Sequence, residues 1–376
     1  MEHKTEMIPL SRPDIGEEEI RLVNEVLRTD WLSMGPKVGE FEKNFADYIG
    51  TEYAIAVNSG TSGLHLCMKS IGINKGDEVI TAPFSFIASS NSIIFENGKP
   101  VFVDIDPHTL NIDAEKIEEA ITRNTRAILP VHVFGQPCKM DAIMDIAEDN
   151  NLSVIEDACE AVGAEYNGRK AGTFGDASVF AFYPNKQMTT GEGGMIVTDN
   201  KDIAQSCISM RNQGRSEKGE WLDHIRIGYN YRLDEMSCAL GIGQLKRINE
   251  LLEKRSRVAD EYSKQLSGIE GVKTQYLDPG VKMSWFVYVV QVGEYIDRNK
   301  VMVYLKEHGV SCRPYFTPIH LQPFYKEMFG YDEGDFPICE KVCNSTIALP
   351  FYGNMDKGTT RKVCNTLIDS LKFCEK

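Results

Sequence analysis

Three stretches of the chain hold residues whose types and spacing could do chemistry. The first is AIAVNSGTSGLHLCM, residues 54–68. An apolar run ends at Asn58, and Ser59-Gly60-Thr61-Ser62-Gly63 leads into a helical pattern. Backbone N–H groups, hydroxyls and the positive end of a helix make such a turn a phosphate cradle, although the same residues also serve as a plain helix cap. It is neither a GK[ST] loop nor a GxGxxG fingerprint. The second is SVIEDACEAVGAEY, residues 153–166, where Asp157 closes an apolar strand. A carboxylate there is costly unless it meets a cation, caps a helix or joins a buried ion pair. The third is FAFYPNKQMTTGEGGMIVT, residues 180–198, with Lys186 at the mouth of a core strand. That lysine either snorkels to water or does amine chemistry.

Each stretch alone has an ordinary structural explanation. As a set, a phosphate cradle, a carboxylate and an amine at strand ends are the three contacts that pyridoxal 5′-phosphate (PLP) asks for. Its phosphate needs N–H donors, its ring nitrogen needs an anion to stay protonated, and its aldehyde needs an amine. On this reading Lys186 holds the cofactor as a Schiff base and, once freed, shuttles a proton at the substrate. Gly191, Gly193 and Gly194 would let the backbone after it turn tightly.

The elements that must position these residues follow from periodicity. From residue 54 to about 200, the strand candidates YAIAV, EVITA, VFVD, AILPVHVF, SVIED, ASVFAF and MIVT alternate with helical patterns near 61–72, 87–97, 113–123, 139–150 and 201–210. This predicts an α/β fold: a large domain with a mostly parallel sheet flanked by helices, plus a smaller C-terminal α+β domain. Sheets of that kind carry their chemistry at the carboxyl ends of the strands. An amino-terminal helix is expected from Glu17 to Leu27, and one long helix from Asp234 to Gln265 as a spine between the domains. The strand WFVYVVQV and helices near 298–308 and 357–373 follow. The boundary is set at residues 1–245 for the cofactor-binding domain with its amino-terminal segment, and 246–376 for the small domain.

Bulk properties narrow the classes. With 376 residues, 42% hydrophobic and 26% charged, the composition is that of a globular protein. A formal charge of −14 argues against a nucleic-acid partner, which wants clustered Lys and Arg. No run of eighteen apolar residues suggests a membrane span, and residues 1–19 lack the apolar core of a secretory leader. The ten cysteines form no CxxC and no paired His spacing, so no metal site is expected and the thiols read as reduced in a cytoplasmic protein.

Longer motifs carry a resemblance: RPDIGEEEI, WLSMGPKVGEFEKNFADYIG, VNSGTSGLHL, GDEVITAPFSFIASSNSI, PVHVFGQPCKMD, IEDACEAVGA, FYPNKQMTTGEGGMIVT, GYNYRLDEMSCALGIGQL and RPYFTPIHLQPFY. In this order and spacing they resemble the DegT/DnrJ/EryC1/StrS family of PLP-dependent sugar aminotransferases, a branch of the fold-type I aspartate aminotransferase superfamily. The resemblance implies that Lys186 is the Schiff-base lysine and Asp157 the partner of the ring nitrogen. Gly60, Thr61 and Ser62 fit the phosphate loop, and Phe86 matches the aromatic residue over the ring. Asn230 resembles a residue that reaches the phosphate from a neighbouring subunit, which implies a homodimer with shared active sites. Tyr183 and His320 are candidate substrate contacts, His320 being equally open to a structural role. Arg313 and Arg232 could meet the nucleotide diphosphate or glutamate, or pair with surface carboxylates.

Two positions depart from the family pattern. Ala181 stands where many members have a serine that bonds the phosphate. Glu160 stands where many have histidine or glutamine near the cofactor's 3′-oxygen, so it must be protonated, bonded to a donor or turned aside. The implied reaction is a ping-pong transamination. L-Glutamate leaves its nitrogen on the cofactor as pyridoxamine 5′-phosphate, and a nucleotide-linked keto-sugar, usually a 4-keto-6-deoxyhexose, takes it up for amino-sugar or surface-polysaccharide synthesis. The alternatives are a pyridoxamine-phosphate-dependent sugar dehydratase, against which Lys186 argues, and a PLP-binding regulator without turnover.

Overall fold

The computed structural model describes residues 7–216, 220 and 222–374. Its strands are β1 (Tyr53–Val57), β2 (Glu78–Thr81), β3 (Lys99–Phe102), β4 (Thr125–Ile128) and β5 (Ser153–Asp157), then a short hairpin of β6 (Glu165–Tyr166) and β7 (Arg169–Lys170), then β8 (Ala177–Ala181) and β9 (Gly194–Thr198). Seven of them form one sheet in the order β1-β9-β8-β5-β4-β2-β3. All neighbours are parallel except for β9, which runs against both β1 and β8.

The sheet is buried on both faces, which is why its strands read as unbroken apolar runs. In β9, Met195 and Val197 point to one side, where Phe41, Phe45, Phe180, Phe182 and Ile242 pack. Ile196 points to the other, among Leu64, Leu66, Cys67 and Cys207. Helices Pro36–Ile49 and Glu235–Lys246 supply the first layer, and Gly60–Ser70 and Lys201–Arg211 the second.

Register then fixes which loops meet. Val57 and Ala181 both pair with Gly194 across β9, and Asp157 lies beside Val179 of β8. The turn after β1, the end of β5 and the loop after β8 therefore emerge at one edge of the sheet.

The C-terminal part has β10 (Val272–Lys273), β11 (Val281–Lys282), β12 (Tyr288–Val292) and β13 (Thr346–Leu349). β10, β12 and β13 make a small antiparallel sheet, whereas β11 pairs with β6 of the hairpin. Residues 281–286 thus run back against the large sheet, with Ser284 N–H donating to Gly135 O at 3.0 Å and Phe286 N–H to Phe134 O at 3.1 Å. At the other end of the chain, Ile8 bridges Val310.

Four local expectations are corrected. The run AILPVHVF is a strand only through Ile128, because Pro130 cannot donate to the ladder, and Phe134 turns to φ 59. Residues 113–123 form two 3-10 turns, Ala114–Lys116 and Glu118–Ala120, rather than a helix. Buried Ala114 and Ile117 are three residues apart, the spacing that eclipses in that tighter helix. The single spine helix is two, Glu235–Lys246 and Ile248–Leu266, jointed at Arg247 with φ −103 and ψ 7. The run WFVYVVQV is a strand only from Tyr288, since Trp285 sits at φ 51.

Candidate active site

The loop after β8 is built to hold Lys186 still. Its N–H donates to Tyr183 O at 2.9 Å, and Thr189 Oγ1 and Thr190 N–H both close onto Phe182 O at 2.8 and 3.0 Å. The Lys186 side chain is 12% exposed. Its Nζ lies 3.8 Å from the centroid of the Phe286 ring and 3.5 Å from Glu160 Oε1. An ammonium over an aromatic face is favoured electrostatically, more so when desolvated.

Glu160 meets the demand its position makes by finding donors. Oε2 accepts the Phe134 N–H at 2.8 Å, while Oε1 faces Lys186. Burial pushes its carboxyl above the ordinary range; the Lys186 ammonium and the Phe134 N–H oppose this without cancelling it, and Asp157 adds to it. The backbone is committed as well: Gln187 Nε2 donates to Glu160 O at 2.5 Å and to Ser284 Oγ at 2.8 Å.

Asp157 is 4% exposed. Its Oδ2 accepts from Ser89 Oγ at 2.6 Å and its Oδ1 from Cys159 N–H at 3.1 Å. Among the described residues it has no ion pair, an uncommon state for a buried carboxylate. Its neighbour Glu156 points the opposite way into the sheet and is fully occupied. His132 Nε2 lies 2.9 Å from Oε2, and the N–H groups of Gly172, Phe174 and Gly175 donate at 2.7–2.9 Å. His132 Nδ1 accepts from Cys138 N–H, so the tautomer with the proton on Nε2 satisfies every group.

The turn after β1 begins the helix Gly60–Ser70. Ser59 caps it by accepting Ser62 N–H at 3.1 Å, and Ser62 Oγ donates to Asn58 Oδ1 at 2.6 Å. Glycine is required at Gly60, where a Cβ would come within 2.8 Å of Cys159 Sγ and 2.9 Å of Ala181 Cβ. A Cβ on Gly194 would likewise meet the Ser59 carbonyl at 2.7 Å. The helix start, Cys159, Ala181 and the Asp157 strand end are therefore packed together. Burial and the Asp157 charge push the Cys159 thiol well up, with Lys186 opposing, so it stays protonated.

The remaining residues singled out from the sequence divide. Phe86 sits on the loop after β2 with 64% of its surface exposed, and its carbonyl accepts from Ser89 Oγ, the hydroxyl that also holds Asp157. Tyr183 is 52% exposed beside Lys186. Arg313 is exposed, bridges Ala348 through its backbone and has no ion pair among the described residues. It neighbours Tyr315, whose hydroxyl burial pushes up to about 12, Glu160 adding and Arg313 opposing. Asn230 is exposed, its carbonyl accepting from Asn58 Nδ2 at 3.4 Å within the same chain. Arg232 donates to Asn212 Oδ1 at 2.9 Å. His320 is fully buried, its Nε2 3.0 Å from Glu340 Oε1. That environment favours the structural of its two open roles.

Ser89, Phe286 and Tyr315 belong to the site without having been singled out. A hydroxyl-rich run, SFIASSNS, was a visible signal for Ser89. Phe286 and Tyr315 arrive by tertiary contact and had none. Among the described residues no group of three or more His, Cys, Asp or Glu could hold a metal ion, and no helix is long and apolar enough to cross a membrane.

Known structures give the class first. The fold resembles a fold-type I aminotransferase, S. venezuelae DesV in complex with a ketimine intermediate. The two are 31% identical, with a TM-score of 0.91, over 97% of this chain and 98% of that one. The family follows from the sequence: the description of the DegT/DnrJ/EryC1/StrS aminotransferase family matches residues 13–368, and the chain belongs to that family of PLP-dependent sugar aminotransferases. It is 40% identical to the GDP-perosamine synthase of Caulobacter vibrioides, over 96% of this chain and 97% of that one. It is 39% identical to the spore coat polysaccharide biosynthesis protein SpsC of Bacillus subtilis, over 99% of each.

Proposed function

We propose that the protein moves an amino group from L-glutamate to a nucleotide-linked keto-sugar, as a cytoplasmic homodimer with PLP as its cofactor. The observation that carries this reading is Lys186, whose amine rests 3.8 Å over the Phe286 ring and 3.5 Å from Glu160 at the edge where β5 and β8 end.

The donor set fits PLP. Asp157 is a buried carboxylate with hydrogen-bond donors but no cation among the described residues, which suits a protonated ring nitrogen. The helix start offers the N–H groups of Gly60 and Thr61, while the Ser62 N–H is taken by Ser59 Oγ, and the lack of a side chain at Gly60 lets that first turn press against Cys159 and Ala181. Phe86 offers an exposed ring. When bound, PLP supplies an electrophilic carbonyl and an electron-withdrawing ring that acidifies the carbon next to the substrate nitrogen.

The chain's own residues do the rest. Lys186 Nζ takes a proton at one carbon and returns it at another, and its tethered loop keeps the amine in reach of both. Ser89 orients Asp157, and Cys159 N–H shares its charge. Glu160 receives the ammonium when the amine is free. Ala181 leaves the phosphate to Thr61, Ser62 and the helix end, with Asn230 of a second copy completing the set.

Relatives from three organisms named GDP-perosamine synthase, at 32–40% identity, support a GDP-linked acceptor, a 4-keto-6-deoxyhexose. The test is incubation with L-glutamate, PLP and GDP-, UDP- or dTDP-linked 4-keto-6-deoxyhexose, read by mass spectrometry. A GDP-amino sugar formed at the expense of glutamate is expected. No amino sugar from any nucleotide would overturn the acceptor assignment.

A further inference from the structure

We propose that Arg255 is a positioning residue for Lys186, locking the lysine's backbone and the ring beneath its amine into one unit. The proposal rests on the reading of Lys186 as the cofactor-bearing lysine.

Arg255 lies on the helix Ile248–Leu266, among the buried residues Leu251, Val258, Ala259, Tyr262 and Leu266. It occupies the apolar stripe of that helix, where a leucine would be expected, and is 5% exposed. Its guanidinium meets no carboxylate among the described residues. Instead it donates to four backbone carbonyls: Nη2 to Lys186 O at 2.6 Å and Asn185 O at 3.2 Å, Nη1 to Phe286 O at 3.2 Å and Trp285 O at 3.3 Å. Those carbonyls come from two segments about a hundred residues apart. One carries the lysine; the other carries the ring 3.8 Å from its Nζ.

The planar fork of an arginine is suited to this, because two nitrogens can each reach a pair of acceptors in fixed geometry. Trp285 adds a reason for the clamp. It holds φ 51, a backbone region non-glycine residues adopt only when their surroundings dictate it, and Arg255 bonds its carbonyl. Burial pushes the guanidinium down to about 10, leaving it charged at neutral pH, with the four carbonyl dipoles and the face of Phe351, 5.5 Å from its Cζ, to receive the charge. An arginine kept so deep for packing alone would be replaceable by any residue of its volume. One kept for the fork would not.

The test compares the wild-type protein with Arg255→Met and Arg255→Lys. In cofactor-free protein, amine labelling with acetic anhydride is followed by mass spectrometry at Lys186. Lys170, a half-buried lysine that donates to Tyr48 O in the large domain, serves as the internal control. Labelling of Lys186 should rise about threefold or more in Arg255→Met with Lys170 unchanged, and Arg255→Lys should fall between, since it keeps the charge but not the fork. After PLP is added, the pH midpoint of the visible band should shift in the same order, and the glutamate half-reaction should slow about tenfold or more with KM little changed. Equal labelling of Lys186 in all three proteins would overturn the proposal, as would a parallel rise at Lys170. Should Arg255→Met fail to fold, the same comparison is made with Arg255→Lys alone. The labelling arm needs no cofactor, so failure of the PLP assignment and failure of the clamp give different results.

Discussion

At the scale of single residues, two carboxylates side by side in β5 have opposite fates, and their hydrogen bonds explain why. Asp157 faces the site with two donors and no cation among the described residues, whereas Glu156 faces the sheet with four partners. Replacing Asp157 with Asn removes the anion but little volume. PLP should still bind, with the glutamate half-reaction slowed about a hundredfold or more in stopped-flow traces. For Glu156, burial pushes the carboxyl up, but His132 and the N–H groups of Gly175 and Gly172 outweigh it and hold the group below its ordinary value. A depressed carboxyl contributes stability that is present above its unfolded-state value and is lost as pH falls through the folded one. Glu156→Gln should therefore cost about 3 kcal/mol in urea titrations at pH 7, and the gap to wild type should close below about pH 4.5. A gap that stayed constant down to pH 4 would contradict this. Lys186 and Asp157 stood out in the sequence because a charged residue ending an apolar strand breaks a pattern. Glu156 was masked by standing next to one of them.

At the scale of elements, close approach does the work. The helix Gly60–Ser70 can press its first turn against Cys159 and Ala181 only because residue 60 has no side chain. Gly60→Ala overpacks that contact, and the expected result is PLP binding weakened by roughly tenfold in equilibrium titration, from about 1–3 kcal/mol of strain. A second helix start depends on a distant residue. Glu235, 1% exposed, accepts the N–H groups of Gly35, Lys37 and Val38 at 3.0, 2.8 and 3.1 Å and so caps the helix Pro36–Ile49 from 200 residues away. Glu235→Ala leaves those donors unpaired and should cost about 1–3 kcal/mol in thermal unfolding. That helix carries a readable pattern, with Phe41, Phe45 and Ile49 on one face, Pro36 at its first position and Gly50 after its end. The strand Thr346–Leu349 has no such pattern, because four buried residues give periodicity nothing to alternate with.

At the scale of the whole molecule, the seven strand runs of the sequence became one sheet, and the parallel pairing of β5 with β8 gathered Asp157 and Lys186 at one edge. Alternation of strands with helices makes that outcome legible. The return of residues 281–286 against Phe134 and Gly135 is not, since long-range pairing leaves no local trace. It is this return that puts Phe286 under Lys186, so the site draws on both halves of the chain. We propose the division at 245/246, beside the joint at Arg247, as the boundary between a cofactor-binding domain and a smaller one that completes its pocket. We propose that Lys186 carries PLP and, once freed, moves the proton that lets glutamate leave its nitrogen on the cofactor. The most direct measurement is the absorption spectrum of the purified protein with PLP, before and after L-glutamate, alongside Lys186→Ala. A visible band is expected in the wild type that fades on adding glutamate, and no such band in a folded Lys186→Ala protein. A folded wild-type protein with no band, or a variant that matches it in glutamate turnover, would contradict the claim.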